Sequence, residues 1–227
     1  MKRALCSLRL LAYFAVAALI GACISGPPVP DWQSNAKTAM DQAIAAYLAG
    51  DTRPADNDFE RARREIARTG RADLLGRAEL VRCAARVASL VFEPCEGFEK
   101  LRVDTAAPER AYADYLAARV QPQDIALLPP QHRAIAATNL TAEDAAAALR
   151  RIEDPLSRLV ASGVLFQAGR ANPTAITLAA DTASAQGWRR PLLAWLNVQR
   201  ALAEKAGDAG EAERLRRRIG TVLGDKL

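Results

Sequence analysis

The stretch AELVRCAARVASLVF, residues 78–92, decides the architecture. Its apolar residues recur at helical spacing on two sides at once. With Leu74 just upstream, Ala78, Val81, Ala85, Ala88 and Phe92 form one stripe, and Leu80, Cys83, Val87 and Leu90 form a second. One stripe faces one neighbour, whereas a helix that is apolar on two sides is packed from both. The pattern predicts a central, well-buried helix from about Asp73 to Val91, with other helices around it.

Those neighbours are legible on both sides. Upstream, Asp31 is placed to cap a helix running to about Ala49, with Gly50 as its stop. Trp32, Ala36, Ala39, Met40, Ala43, Ile44, Tyr47 and Leu48 fall on one of its faces. A second helix opens near Pro54, buries Ala55, Phe59, Ala62 and Ile66, and ends at Gly70. So short a connection predicts an antiparallel hairpin. Downstream, Pro108 opens a helix burying Tyr112 and Leu116, and Pro122, Pro129 and Pro130 break the next stretch into short helical pieces and loop. Thr141 and Asp144 have the spacing of a capping box for a helix to about Ile152. Asp154-Pro155 and Asn172-Pro173 open two more, to about Ala168 and Gln186, and helices near Arg190–Ala206 and Ala209–Leu223 flank Gly207-Asp208. No alternating run of β-branched residues interrupts the series. The expected class is all-α: antiparallel helical hairpins packed as a superhelix or an irregular helical bundle, in one domain over 31–227.

Within AGDTRPADNDFERA, residues 49–62, Gly50-Asp51 marks a turn, Ala55 lies four beyond Asp51, Phe59 four further and Ala62 three after that. This spacing resembles the second half of a tetratricopeptide repeat, a helical hairpin of about 34 residues. KAGDAGEAERLRRRI, residues 205–219, repeats the opening with Gly207-Asp208 and Ala212, then places Arg216 and Ile219 where the family has an aromatic and a small residue. The resemblance implies repeat-like hairpins at 31–70 and about 188–223.

The front of the chain carries a different signal. Lys2, Arg3 and Arg9 precede an apolar stretch from Leu10 to Ala22, too short to span a bilayer. Ile20-Gly21-Ala22-Cys23 resembles the lipobox of bacterial lipoproteins. The resemblance implies that residues 1–22 are a signal peptide cut before Cys23, and that Cys23 is diacylated. Two or more acyl chains are what hold a protein firmly to a membrane. Ile24, where inner-membrane retention favours Asp, implies the outer membrane. Residues 23–30 then form the lipidated Cys and a Pro-rich tether, extended at about 3.1 Å per residue.

Residues 1–22 hold three basic and no acidic side chains, so 28 basic face 26 acidic ones in the remainder, a net charge of +2. Nucleic acid is therefore not an expected partner. Beyond Cys6 and Cys23 only Cys83 and Cys95 remain. In an oxidising compartment one disulfide is expected, contributing about 3 kcal/mol; two buried free thiols are the alternative. The single histidine, His132, has no cysteine or carboxylate at ligand spacing and reads as structural or surface-exposed, with no metal and no cofactor expected. Nucleophile elbows, phosphate-cradling loops and metalloprotease motifs are absent from the sequence. The Arg-rich runs at 61–71 and 214–218 read as wet helix faces, since Ala62 and Ile66 face inward.

The expected function is non-enzymatic: an adaptor or scaffold for envelope proteins, anchored to the outer membrane by lipid and facing the periplasm. In the first hairpin the partner-binding candidates are Lys37, Met40, Ile44 and Tyr47, the last three being equally suited to burial under a neighbouring helix. The alternative is a periplasmic carrier or sensor for a small molecule or lipid, with an apolar cavity lined by Trp188, Trp195 and Phe166.

Overall fold

The computed structural model describes residues 29–137 and 140–224. The signal segment, the lipidation candidate Cys23 and the tether through Pro28 lie outside the described residues. Among the described residues every regular element is helical. The protein is all-α.

Helices α1 (Asp31–Ala49) and α2 (Thr52–Ala67) form the first hairpin, and no other pair of elements is packed more extensively. Ala36, Ala39 and Ala43 are buried on α1, and Ala55, Phe59, Ala62 and Ile66 on α2. Small residues on one side let the Phe59 ring fill the space between the helices. The turn needs a left-handed residue. Gly50 supplies it at φ 102°, and the backbone N–H groups of Gly50 and Asp51 satisfy the carbonyls of Tyr47 and Ala46.

Helix α3 (Ala72–Ala88) is the hub, touching α1 and α2 as well as α4 (Glu96–Glu99), α5 (Ala107–Leu116) and α8 (Pro155–Gln167). The central position expected of residues 78–92 is observed, with two corrections. The helix stops at Ala88, and Leu90 turns the chain in a left-handed conformation, φ 59°, as the Val91 N–H reaches back to the Arg86 carbonyl. Phe92 is therefore outside the helix, where it stacks on Phe166 at 6.3 Å. Val81, expected in the buried stripe, is 40% exposed. It lies between the α2 side of α3, where Arg82 covers the Phe59 ring at 4.5 Å, and the α5 side, and neither neighbour covers it.

The remaining helices are α6 (Pro130–Ala136), α7 (Ala142–Arg151), α9 (Pro173–Ala185), α10 (Arg189–Lys205) and α11 (Ala209–Leu223). Three helix starts read from sequence carry caps: Thr141, Asp154 and Asn172 each accept a backbone N–H from the residue three positions on, as does Asp208, which the sequence marked only as part of a turn. Asp31, expected to cap the first helix, is instead the first residue of α1 behind Pro30, and no side chain caps that end. Helices α8 to α11 pack each on the next, so the segments at 31–70 and 188–223 both form helical pairs.

Two devices hold these layers together. Where α3 crosses α8, Gly163 lies so close that a β-carbon there would sit 2.3 Å from the Val87 carbonyl oxygen. At the same corner the buried Trp195 of α10 donates its indole N–H to the Ala88 carbonyl at 3.1 Å, satisfying an end group of α3 that no helical partner can reach. The second device joins the chain's distant parts. Arg189 and Arg190, opening α10, donate to the carbonyls of Ala49 and Tyr47 at the end of α1, and Arg190 also lies 4.3 Å over the Tyr47 ring. Cationic side chains at a helix C-terminus meet its negative dipole end. The series of hairpins thereby closes on itself.

Candidate functional site

The proline-broken stretch after α5 builds the most distinctive surface feature. Pro122–Leu127 is a 3₁₀ turn, Leu128 is extended, and Pro130 is the first residue of α6. Proline suits that position because the first turn of a helix leaves its N–H groups unused. Arg133 folds back to donate its Nε–H to the Leu128 carbonyl at 2.8 Å, which ties the loop to its own helix.

This segment stands off from α3 and α5 and leaves an open groove of about 460 Å³. Its walls are mostly apolar: Leu80, Val81, Tyr112, Leu127, Leu128 and the rings of Pro108, Pro129 and Pro130. Val81 and Leu127 are 40% and 37% exposed; Val29, Val103, Leu202 and Leu223 are more exposed still, but of these large apolar residues only Val81 and Leu127 line the groove. Three charged residues join them. Arg77 donates to Glu109 at 2.7 Å, and the Glu109 side chain is 11% exposed with its second oxygen buried and without a hydrogen bond. Arg77 is mostly exposed, and Arg133 is exposed with no acidic partner among the described residues. The groove therefore shows an occupant apolar walls and positive charge.

Directly behind it lies a buried polar core. Tyr112, a wall of the groove, packs on His132 at 5.7 Å and on Tyr115 at 5.9 Å, and the Tyr115 hydroxyl shares a 3.2 Å hydrogen bond with His132 Nδ1. Burial pushes the His132 imidazole down to about 4, against a weaker upward pull from Asp154, so it is neutral at ordinary pH. Burial raises both tyrosines well above the usual phenol range. His132 is thus structural, one of the two roles expected of it.

The cysteine expectation is met: Cys83 on α3 is bonded to Cys95 at the start of α4, with Cα atoms 6.0 Å apart. The bridge pins the turn after α3 and borders a second cleft of about 440 Å³, where Arg86, Glu93, Glu99 and Arg119 are tied up in ion pairs.

The four partner-binding candidates fall along one stripe of α1, in unlike surroundings. Lys37 is exposed and pairs with Asp41 at 2.5 Å. Met40 packs against the small core shared by α1, α2 and the start of α3. Ile44 is half-buried, and Tyr47 is half-covered by Arg190. They do not line the 460 Å³ groove. Trp195 and Phe166 meet edge to face at 5.7 Å within the core, and Trp188 packs against the same core. The basic runs are solvated and largely self-neutralised: Arg61 pairs with Asp58, Arg68 with Glu65, Arg214 with Glu211, and Arg216 with Glu204 and Glu213. Among the described residues no three His, Cys, Asp or Glu side chains gather at metal-binding distance. Sequence reasoning missed the groove. Its one signal was Leu127-Leu128-Pro129-Pro130, an apolar run too short and broken to be a helix face.

No protein-family model matches the sequence, and no curated protein or solved structure is significantly similar to it.

Proposed function

We propose that the chain is a non-enzymatic adaptor of the bacterial envelope, held at the outer membrane by acyl chains on Cys23 and presenting a helical body to the periplasm. The anchor rests on the resemblance of Ile20-Gly21-Ala22-Cys23 to a lipobox, and the Cys83–Cys95 bond supports an oxidising compartment. The observation that carries the adaptor reading is the open groove with Val81 and Leu127 at its surface. A contiguous apolar groove at the surface, unlike single exposed apolar residues, is the kind of feature that marks an interaction site.

Fractionation tests the anchor. The wild-type chain is expected in the membrane fraction with a mass increased by its acyl groups. Cys23→Ser is expected to lose that mass and the membrane association, and a variant as firmly held as wild type overturns the anchor. A photocrosslinking residue at position 127, used in the native envelope, is expected to capture a protein, and capture of none overturns the adaptor.

A further inference from the structure

The charge of the groove narrows its partner. Resting on the adaptor reading above, we infer that the groove between α3, α5 and residues 127–133 takes an extended peptide segment of a partner protein, apolar in its centre and acidic at its flanks.

Glu109 is the only acid among the lining residues, and it is spent. One of its oxygens is held by Arg77 and the other is sealed from solvent, so it offers a cation nothing. Arg77 and Arg133 remain exposed, and the three charged residues of the lining leave a formal excess of one positive charge. Arg133 spends its Nε on the Leu128 carbonyl and keeps its terminal N–H groups for an acceptor. A guanidinium beside apolar walls suits a carboxylate attached to an apolar body, because the fork of donors matches the two oxygens. A lysine-flanked segment meets only repulsion there.

The shape selects a peptide over an acyl chain. A hydrocarbon tail binds well where most of its surface leaves water, and well-formed ligand pockets bury about 70–90% of a small ligand. This groove is open to solvent and leaves part of an occupant wet. An extended peptide tolerates that, since its backbone and alternate side chains can face solvent while the others contact Val81, Leu127 and Tyr112.

The test uses the full lipidated chain in detergent micelles and three fluorescent probes. The first two are eight-residue peptides with an alternating Leu-Ser centre, one with Glu at both ends and one with Lys. The third is dodecanoate. The Glu-ended peptide is expected to bind at least about tenfold more tightly than the Lys-ended one. That preference is expected to shrink severalfold in 0.5 M salt, where the Debye length is about 4 Å, and to vanish in an Arg77→Gln/Arg133→Gln variant. Leu127→Asp is expected to weaken the Glu-ended peptide at least about tenfold. Equal binding of the two peptides, dodecanoate binding in place of either, or an unchanged Leu127→Asp variant overturns the inference. Crosslinking at position 127 scores the adaptor reading separately. A protein adduct without the acidic preference refutes the partner class alone, and the acidic preference without any protein adduct refutes the adaptor alone.

Discussion

His132 lies in the core because its ring packs between two tyrosines and its Nδ1 meets the Tyr115 hydroxyl. The surroundings that hold the imidazole neutral make it a liability in acid. Its folded-state value, about 4, lies below the ordinary 6.5, so the unfolded chain binds more protons between those values. The associated stability is present in full above about pH 6.5 and is lost as pH falls towards 4, by about 2–3 kcal/mol. Urea midpoints of wild type are expected to fall between pH 7.5 and 5 by more than those of His132→Gln. Equal slopes for the two proteins would show that the ring is not protonated on unfolding. The sequence left His132 between two roles. Its neighbours Tyr112 and Tyr115 belong to another helix, and nothing local to PPQHRA announces them.

At the scale of elements, the crossing of α3 and α8 sets a tolerance that backbone enforces. Gly163 has ordinary helical geometry, so it is required there for space rather than for conformation. Gly163→Ala is expected to destabilise by about 3 kcal/mol, because the β-carbon meets backbone that cannot yield as a side chain would. Gly210 in α11 is the matched control. A β-carbon there meets only the Asp208 carboxylate at 3.6 Å, and Gly210→Ala is expected to be neutral or stabilising by up to about 1 kcal/mol. Thermal melts of the pair check both, and a tolerated alanine at 163 would refute the close crossing. Helix starts were well legible because a cap is a contact across three residues, as at Thr141, Asp154 and Asn172. The end of α3 was not. Leu90 adopts a conformation usually left to glycine, and it does so while packed against the core.

For the whole molecule, the link between α10 and α1 decides whether the first hairpin is a free arm or part of one body. Arg190 reaches the Tyr47 carbonyl and the Thr52 hydroxyl, across 143 and 138 residues of chain. Arg190→Ala is expected to cost about 1–2 kcal/mol, from a charged hydrogen bond at a helix end and a cation stacked on an aromatic ring. Hydrogen exchange is the discriminating measurement. Amides of α1 and α2 are expected to lose protection while those of α8 keep theirs, since the first hairpin packs on a small core, shared with the start of α3, that is separate from the main one. Uniform loss would mean that the hairpin has no independent stability. The same closure accounts for one residue of the stripe Lys37, Met40, Ile44 and Tyr47: Arg190 covers the Tyr47 ring, whereas Met40 packs on the small core of α1, α2 and the start of α3, and Lys37 stays exposed.

By itself the amino-acid sequence determined the helical class, most helix starts, the burial of α3 and the two cysteines that bond. Each of these comes from periodicity, capping or covalent pairing over a short length of chain. Only the tertiary structure decided that Val81 stays exposed, that His132 is enclosed, that Arg190 closes the bundle and that a groove opens beside Leu127. These are made by side chains that meet only after remote segments have packed. A surface left uncovered is set by how far neighbouring helices reach, a quantity that no local pattern carries.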